Sequence, residues 1–316
     1  MSQLHLFILN PAAGKHDQTG ELTRAIRKLF ESDPVLQGAP YEIAVTRGEG
    51  DATVIAELKI LEHPEGIRIY ACGGDGTLNE VVCAAAEKEN ASVCPVPVGS
   101  GNDFIKYFEE IPRTRFLDLR SCALGEAIPC DLMKVAGRYC LNIASVGLDA
   151  ITAARQQKVK RIPMVSGSFA YKIALFYSFL SAMKNPIRLE VDGEEAAVGN
   201  GNVAIAAAGN GRFYGGGFKA TPTANISDGC IDFIAIPTIS RFKFLKYVRD
   251  YQKGLHMESM KDFLFYRRCK RVRMLSPKPL VVQADGEIFH LKDPEITVVP
   301  GALNLILPVA QDTLDT

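Results

Sequence analysis

Three apolar runs in the first hundred residues each end in a glycine-rich turn, and this repetition constrains the fold more than any other feature. Four strand-like runs alternate with helical patterns over 20–31, 52–63 and 77–89; the runs are LHLFILN (4–10), YEIAVT (41–46), IRIYACGG (67–74) and VCPVPVG (93–99). Such alternation predicts a parallel sheet with helices on both faces, a doubly wound α/β domain. Ligands of such sheets bind beyond the carboxyl ends of the strands, so we expect the three turns to meet at one crevice.

The pattern changes near Asp118 to short strands separated by tight turns. Asp-Gly pairs at 192–193, 228–229 and 285–286 are hairpin signals when strands flank them. We therefore predict a mainly antiparallel sandwich or barrel, interrupted by helices at about 151–184 and 240–256. The predicted domains are 1–120 and 121–299, and the segment from about 300 to 316 either pairs within the second domain or returns to the first.

The turn Gly73-Gly74-Asp75-Gly76-Thr77 lies between a strand and a helix. Glycines let the backbone approach a phosphate, and a helix N-terminus presents free N–H groups to it. A carboxylate at this place would repel bare phosphate unless Mg²⁺ lies between them, so Asp75 indicates a metal–nucleotide site, with a simple glycine turn as the alternative. The Walker A and protein-kinase patterns are absent.

Charge is balanced overall but unevenly distributed. The 316 residues include 36 basic and 36 acidic side chains, which argues against a protein that coats nucleic acid. Residues 151–188 hold seven basic and no acidic residues, and 241–273 hold eleven basic and three acidic residues. Aromatic residues at helical spacing accompany the first segment, which favours docking on an anionic membrane surface. The alternative is a helix packed on the second domain with a solvated basic edge.

Together these motifs resemble the diacylglycerol kinase catalytic-domain family of lipid kinases, and in particular its stand-alone bacterial members. The resemblance rests on NPAAGK, Thr46 with Gly50-Asp51-Ala52, GGDGTLNE, PVGSGNDF, NIASVGLDA, GNGRFYGGGFKATPTANISDGCID and VQADGE, in the family's order. It implies an NAD kinase/diacylglycerol kinase-like α/β domain followed by a β-sandwich domain. GGDGT alone is shared with NAD kinases, whereas GSGND and the later blocks separate the lipid kinases from them.

The resemblance implies ATP and Mg²⁺ as cofactors and assigns residues to them. ATP would be bound by Asn10, Pro11, Ala12, Ala13, Gly14, Thr46, Gly73, Gly74, Asp75, Gly76, Thr77, Leu78, Asn79 and Ser100. The family usually has Thr at the position of Ser100, and the hydroxyl is retained. Asp75 and Asp103 would act through the nucleotide-bound Mg²⁺. Asp103 could also be the N-cap of a helix over FIKYF.

A second, structural Mg²⁺ is implied at Asn225, Asp228 and Cys230, with Asn225 and Cys230 binding through backbone carbonyls. Asp131 resembles the acidic residue that links this metal to the nucleotide. A Cys side chain is a poor ligand for this hard cation. An ordinary hairpin turn is the alternative for Asp228-Gly229.

Asp-Gly-Glu occurs twice, at 192–194 and 285–287, and each copy reads locally as a hairpin turn. The general base of the family lies in the later copy, so the resemblance assigns Glu287, which would take the proton of a lipid hydroxyl. Glu194 would then be an ordinary solvated side chain.

The expected activity is transfer of the ATP γ-phosphate to a membrane lipid such as diacylglycerol, which gives phosphatidic acid for phospholipid biosynthesis. An NAD kinase-like enzyme and a catalytically silent lipid- or nucleotide-binding protein are the alternatives. Eight cysteines without metal-ligand spacing are typical of a reduced, cytoplasmic protein. A peripheral position at the inner face of the membrane and a homodimer are further expectations.

Overall fold

The computed structural model describes residues 3–159 and 183–309, and the chain divides into two compact units. Met1–Leu132 and Pro300–Thr316 form the first unit, and Met133–Val299 forms the second. The boundaries predicted from the sequence were 120/121 and about 300.

The secondary structure alternates at first and is strand-rich afterwards. The described strands are β1 Leu4–Leu9, β2 Tyr41–Val45, β3 Ile67–Gly73, β4 Ala91–Pro97, β5 Glu126–Val135, β6 Arg138–Cys140, β7 Ile143–Gly147, β8 Asn185–Pro186, β9 Arg188–Val191, β10 Glu194–Ala196, β11 Asn202–Gly209, β12 Phe213–Tyr214, β13 Phe218–Lys219, β14 Ile231–Pro237, β15 Phe265–Cys269, β16 Arg271–Leu275, β17 Leu280–Ala284, β18 Glu287–Leu291 and β19 Glu295–Leu307. The described α-helices are α1 Thr19–Ser32, α2 Asp51–Glu62, α3 Asp75–Ala85, α4 Arg113–Leu117, α5 Leu119–Ala123, α6 Leu148–Val159, α7 Arg241–Lys253 and α8 His256–Ser259, and a 3₁₀ helix spans Phe104–Tyr107.

The first unit contains the predicted parallel sheet, in the order β2-β1-β3-β4, and the last residues of β19 pair in parallel with β4. Leu9 lies opposite Val45 and Cys72, and Gly73 lies opposite Pro97, so the strands end at one edge. Strands buried on both faces read as continuous apolar runs, which is why β1 and β3 were recognisable in the sequence. The doubly wound α/β prediction is confirmed.

Aromatic packing fixes helix α1 on this sheet. The ring of Phe7 stacks on Tyr70 of the neighbouring strand, with ring centroids 4.3 Å apart. Phe30, near the end of α1, meets Phe7 edge to face at 5.9 Å. Such pairs contribute about 0.5–1.5 kcal/mol beyond the area that they bury.

The second unit is built from antiparallel sheets, as predicted. One has the order β15-β14-β11-β7-β17-β18, with β8 beside β11, and another contains β10-β9-β16 and the first residues of β19. Side chains of both sheets share one apolar cluster, in which Val191 and Val272 join Phe233 and Val282. A cluster fed from two sheets is the core of a β-sandwich.

Two of the three Asp-Gly pairs form the predicted hairpin turns. Asp192 and Gly193 join β9 to β10, and Asp285 and Gly286 join β17 to β18, all four residues with positive φ. This is the geometry of two-residue type I′ turns. The hairpin reading of Asp228-Gly229 is wrong, because the pair lies in the loop before β14 and joins no two neighbouring strands.

The predicted helices of the second half are partly described. The first corresponds to α6, and the remainder of 151–184 lies mostly outside the described residues. The second corresponds to α7 and the short α8. Within the described ranges, no helix is both long and apolar enough to cross a membrane.

Candidate active site

The glycine-rich turns of the first unit follow β1, β3 and β4 at the same edge of the sheet. The N–H of Gly99 donates to the carbonyl of Gly73 at 3.0 Å, which joins the turns after β3 and β4. Asn10 joins the turn after β1 to helix α3, because its Nδ2 donates to Oγ1 of Thr77 at 2.9 Å. The three turns predicted to meet are therefore held together by direct hydrogen bonds.

Close approach of backbone segments explains the glycines at this edge. A Cβ on Gly73 would lie 2.3 Å from Oγ1 of Thr77, and one on Gly99 would lie 2.4 Å from Cα of Gly74. Gly14 has φ +83°, and a Cβ there would lie 2.7 Å from the carbonyl oxygen of Val98. Side chains at these three positions would collide with neighbouring atoms, so the turns pack closely, and we call the turns at 10–14, 73–77 and 97–103 with the start of α3 the cradle.

Helix α3 begins in this cradle without a side-chain cap. Its N-cap residue is Gly74. The space next to Gly76 is open, because a Cβ added to Gly76 would meet no atom within 4 Å. The first N–H groups of a helix have no partner inside the helix, and with the helix dipole they favour an anion. The N-terminus of α3 is thus suited to bind a phosphate group.

Two carboxylates lie next to this N-terminus. Oδ1 of Asp75 accepts the N–H groups of Asp103 at 2.7 Å and Phe104 at 3.4 Å, while Oδ1 of Asp103 is 2.5 Å from Nζ of Lys106. Burial, and then the nearby charge of Asp103, raise the pKa of Asp75. Asp75 therefore caps the 3₁₀ helix through its side chain. Asp103 is the N-cap residue of the 3₁₀ helix over Phe104–Tyr107, as the alternative had it, but its side chain makes no capping bond.

The remaining predicted ATP residues of the first unit surround the cradle. Pro11 is half-buried and Ala12 exposed, Ala13, Thr46, Leu78 and Asn79 are buried, and Ser100 is exposed. Ala12 donates its N–H to Oδ1 of Asn10 at 2.9 Å, and Thr46 donates its N–H to the carbonyl of Leu9 at 2.9 Å. That these residues bind ATP remains a prediction.

Sequence reasoning missed two residues that hold the loops of this site. Glu80 of α3 accepts the N–H groups of Gly50 at 2.9 Å and Ala52 at 3.1 Å, and so caps α2 from a neighbouring helix. Arg113 donates through Nη2 to the carbonyl of Pro97 at 2.7 Å. Glu80 stands inside the GGDGTLNE motif, but its partners lie about one helix and strand earlier in the chain, so no local signal reveals its role.

In the second unit, the two Asp-Gly-Glu turns have different environments. Oε1 of Glu287 is 3.0 Å from Nη2 of Arg138, and the Glu287 side chain is 32% exposed. Oε2 of Glu194 is 3.0 Å from Nη1 of Arg267, and that glutamate side chain is 74% exposed. Glu287 is thus the more enclosed of the two carboxylates, and its assignment as the base stays a prediction.

Asp285, two residues before Glu287, anchors its turn, and sequence reasoning did not single it out. The carboxylate accepts N–H groups from Leu141 at 2.6 Å, and from Asn142 and Ile143 at 3.1 Å each. Burial raises the pKa of Asp285 to about 6, although these hydrogen bonds act in the opposite direction. These bonds therefore fix the turn that carries Glu287 to the two residues before β7 and to the first residue of β7.

The predicted structural metal site is made of residues that already have protein partners. Asp228 pairs with Arg268 through Oδ2 and accepts the N–H of Cys230 at 3.0 Å, while Oδ1 of Asn225 accepts the N–H of Ser227 at 3.1 Å. In the first unit, Asp131 accepts the N–H of Gly301 at 2.7 Å. Among the described residues, no group of three or more His, Cys, Asp or Glu could hold a metal ion.

The fold and the site define an α/β and β-sandwich protein whose glycine-rich turns lie at the carboxyl edge of a parallel sheet, the edge at which such sheets bind ligands. Two families match this chain: the diacylglycerol kinase catalytic domain over residues 5–135, and the YegS C-terminal NAD kinase beta sandwich-like domain over residues 142–307. The chain belongs to the diacylglycerol kinase catalytic-domain family, and hence to a family of kinases.

Similar proteins agree with this assignment. A diacylglycerol kinase of Bacillus subtilis (strain 168) is 27% identical over 305 residues, 95% of each chain. A diacylglycerol kinase of Staphylococcus aureus (strain bovine RF122 / ET3-1) is 29% identical over 283 residues, 89% of this chain and 84% of that one. A solved structure, described as a diacylglycerol kinase from Bacillus anthracis str. Sterne, has the same fold, with a TM-score of 0.69, 21% identity and 96% of both chains covered.

Proposed function

We propose that this protein is an ATP- and Mg²⁺-dependent lipid kinase that transfers the γ-phosphate of ATP to a hydroxyl of a membrane lipid such as diacylglycerol, with phosphatidic acid as the product. The observation that carries the proposal is the cradle of glycine-rich turns beside Asp75 and Asp103. Family membership and the names of the similar proteins support the lipid as phosphoryl acceptor.

The residues of the cradle fit the phosphate groups of ATP. The close glycine contacts exclude side chains from the turns, and α3 begins there without a side-chain cap, so its first N–H groups have no partner within the helix. In this proposal the turn from Asn10 to Gly14 and the turn from Gly73 to Asn79 bind the phosphates, and Thr46 and Ser100 add hydroxyl groups. Binding of this kind orients ATP, and orientation with charge neutralisation is most of what phosphoryl transfer requires.

The paired carboxylates fit a divalent cation. Asp75 and Asp103 offer hard oxygen ligands close enough for the charge of one to raise the pKa of the other. When bound, Mg²⁺ neutralises negative charge on the phosphate oxygens. Asp75 also keeps Asp103 in place, because it accepts the N–H of that residue.

The second cation site is proposed at Asn225, Asp228 and Cys230, with Asp131 as its link to the nucleotide. Asp228 is the one side-chain carboxylate among the first three, and it is paired with Arg268. Binding of a cation at Asp228 therefore requires Arg268 to move away from that carboxylate. Backbone carbonyls of Asn225 and Cys230 are suitable ligands, whereas the thiol is not.

Glu287 is the proposed general base. Its carboxylate would take the proton of the lipid hydroxyl while that oxygen attacks the γ-phosphorus, so that the oxygen–phosphorus bond forms as ADP leaves. The Asp285 anchor restricts the turn that carries the base, and Arg138 restricts the side chain. A positioned base contributes about 10²–10⁴-fold in rate.

A lipid acceptor also implies a place in the cell. We propose that the protein acts at the cytoplasmic face of the membrane as a peripheral protein, and that it forms a homodimer as the family resemblance implies. The basic segment 151–188, mostly outside the described residues, is one contribution to membrane binding in this proposal.

The test is ATP consumption with lipid in detergent micelles, followed by identification of the phosphorylated product. We expect turnover that requires diacylglycerol and Mg²⁺, and labelled phosphate in phosphatidic acid. Phosphorylation of NAD in place of lipid would show that the protein is an NAD kinase-like enzyme. Lipid binding without ATP turnover would show that it is a catalytically silent binding protein.

The matched pair Glu287→Gln and Glu194→Gln tests the base. We expect Glu287→Gln to lower kcat by about 10²–10⁴-fold with unchanged thermal unfolding and ATP binding, and Glu194→Gln to retain full turnover. Comparable activity in both variants would remove Glu287 from the mechanism, while the kinase activity itself would stand.

A further inference from the structure

Helix α7 exposes two large apolar side chains together with three cations on a single face. Phe242 is 88% exposed and Leu245 is 57% exposed. Lys246, Arg249 and Lys253 are also exposed, and their spacing from Phe242 places all five on one side of a helix. We call Phe242, Leu245, Lys246, Arg249 and Lys253 the outward face of α7.

The opposite side of α7 is fixed to the second unit. Tyr251 is buried in an apolar cluster with Ile234 and Ile236 of β14, and Phe244 and Tyr247 pack against that cluster. Ser240 caps the start of the helix through its side chain, and Gly254, with φ 77°, ends it. The helix is thus held firmly, and the exposure of Phe242 and Leu245 is not the result of a frayed end.

The outward face of α7 carries charge of one sign. None of its residues is acidic, and the one acidic residue of the helix, Asp250, is half-buried. Arg241 and Lys243, also exposed, add two cations beside the face. The second unit as a whole carries 24 basic and 14 acidic side chains.

We propose that the outward face of α7 is a docking surface for an anionic lipid bilayer, with Phe242 and Leu245 inserted at the boundary of headgroups and acyl chains and the cations at the headgroups. This inference rests on the proposed lipid kinase activity and assigns residues to its membrane contact. Large apolar side chains among cations are what interfacial helices use to bind anionic membranes.

The charge pattern argues against two other occupants. A second copy bound through the same face would bring like charges together across a two-fold axis, which is unfavourable. Nucleic acid would pair with the cations but would leave Leu245 without an apolar environment. An anionic bilayer provides acyl chains for the apolar side chains and negative headgroups for the cations of the outward face.

The test is flotation of the full chain with phosphatidylcholine vesicles that contain or lack phosphatidylglycerol. For Phe242→Ser with Leu245→Ser we expect about tenfold weaker binding to the anionic vesicles, because both side chains lose their apolar environment. For Lys246→Glu with Arg249→Glu we expect at least about twentyfold weaker binding, since each cation near such a surface contributes roughly fivefold.

The matched control is Leu58→Ser with Leu61→Ser on α2. These leucines are 55% and 77% exposed, but the exposed charges beside them are Glu57 and Glu62. We expect this variant to float like the wild type. Sedimentation and binding of a DNA duplex are measured on the same samples.

Unchanged flotation of both α7 variants would overturn the proposal. So would a loss of dimers or of duplex binding in these variants while vesicle binding persists, because the face would then bind a second copy or nucleic acid. Turnover in detergent micelles, which needs no vesicle, reports the kinase activity separately, and we expect the α7 variants to keep it. Absence of lipid phosphorylation in the wild type would remove the proposed function, whereas flotation would still report on the face.

Discussion

Gly99 lies so close to Gly74 that a methyl group on it would separate the turn after β4 from the turn after β3. A Cβ there would lie 2.4 Å from Cα and 2.9 Å from N of Gly74, and backbone atoms cannot rotate away as a side chain can. We expect Gly99→Ala to lower the free energy of unfolding by about 1–3 kcal/mol and to raise the KM for ATP. Thermal unfolding and ATP kinetics measure both effects.

Gly76→Ala is the control for stability, because its Cβ would meet nothing within 4 Å. It lies in the same cradle and should unfold at or slightly above the wild-type temperature. An equal loss of unfolding free energy in both variants would show that close contact with the Gly74 backbone is not what requires glycine at position 99.

Asp285 makes stability depend on pH in a direction unusual for a carboxylate. Burial raises its pKa from 3.8 to about 6, so between these values the folded protein holds a proton that the unfolded chain has released. This contribution to stability is fully present below about pH 4 and is lost as the pH rises through about 6. The difference of roughly two pKa units corresponds to at most about 3 kcal/mol.

Asp285→Asn removes this titration. We expect the wild type to lose stability relative to the variant as the pH is raised from about 4 to about 6, with no further change above that range. Urea unfolding of both proteins across these pH values provides the measurement. Parallel stability curves would mean that the pKa of Asp285 is the same in the folded and the unfolded protein.

For single residues, the sequence predicted a structural role where the interacting residues lie within a few positions of each other in the chain. Gly73 and Thr77 lie in one turn and could be recognised together. Asp285 could be recognised as a turn residue, but its N–H donors at 141–143 lie more than a hundred positions earlier in the chain. Burial of that carboxylate follows from strand pairing between β7 and β17, which the local pattern does not contain.

Among the elements, α3 supports the start of α2 through one side chain. Glu80 accepts two N–H groups at the N-terminus of α2, and the carbonyl of Glu80 accepts the hydroxyl of Thr53 at 3.0 Å. Replacement by alanine leaves the N–H groups of Gly50 and Ala52 without their acceptor. We expect Glu80→Ala to cost about 1–3 kcal/mol and to speed hydrogen exchange at those two amides.

Glu57→Ala on the exposed side of α2 is the matched control, since it removes a carboxylate from an exposed position of that helix. It should leave the amides of Gly50 and Ala52 protected. Exchange that is unchanged in Glu80→Ala would show that water or the helix itself replaces this cap.

Strands β1 to β4 and helices α1 to α3 could be predicted within one to four residues because each is a single apolar pattern ended by a turn, whereas the short helices α4 and α5 were not predicted. The last strand could not be predicted as a single element. EITVV and the later ALNLILP read as separate pieces, whereas β19 runs unbroken from Glu295 to Leu307. Its first residues pair with β16 and its last with β4, and neither partner is near in sequence.

Across the whole molecule, the balanced net charge is the sum of two opposite halves. The first unit carries 12 basic and 22 acidic side chains, and the second carries 24 basic and 14 acidic side chains. A chain with a pI of 6.9 has no net repulsion near neutral pH, so oppositely charged units of different molecules attract one another.

We therefore expect reversible self-association near pH 7 that is strongest at low salt. Raising the salt from about 50 to about 300 mM should reverse it, because the Debye length falls below the distance between surface charges. Light scattering at several concentrations measures this. Association that grows with salt would instead point to exposed apolar surface.

The path of β19 has a consequence for the order in which the protein forms. Asn304 and Leu305 extend the parallel sheet beside Ser92 and Val93, which lie more than two hundred positions earlier in the chain. Until the ribosome has released the last strand, β4 remains an open edge, and open edges recruit other chains. The sheet of the first unit can therefore be completed only after the whole of Met133–Val299 has been translated.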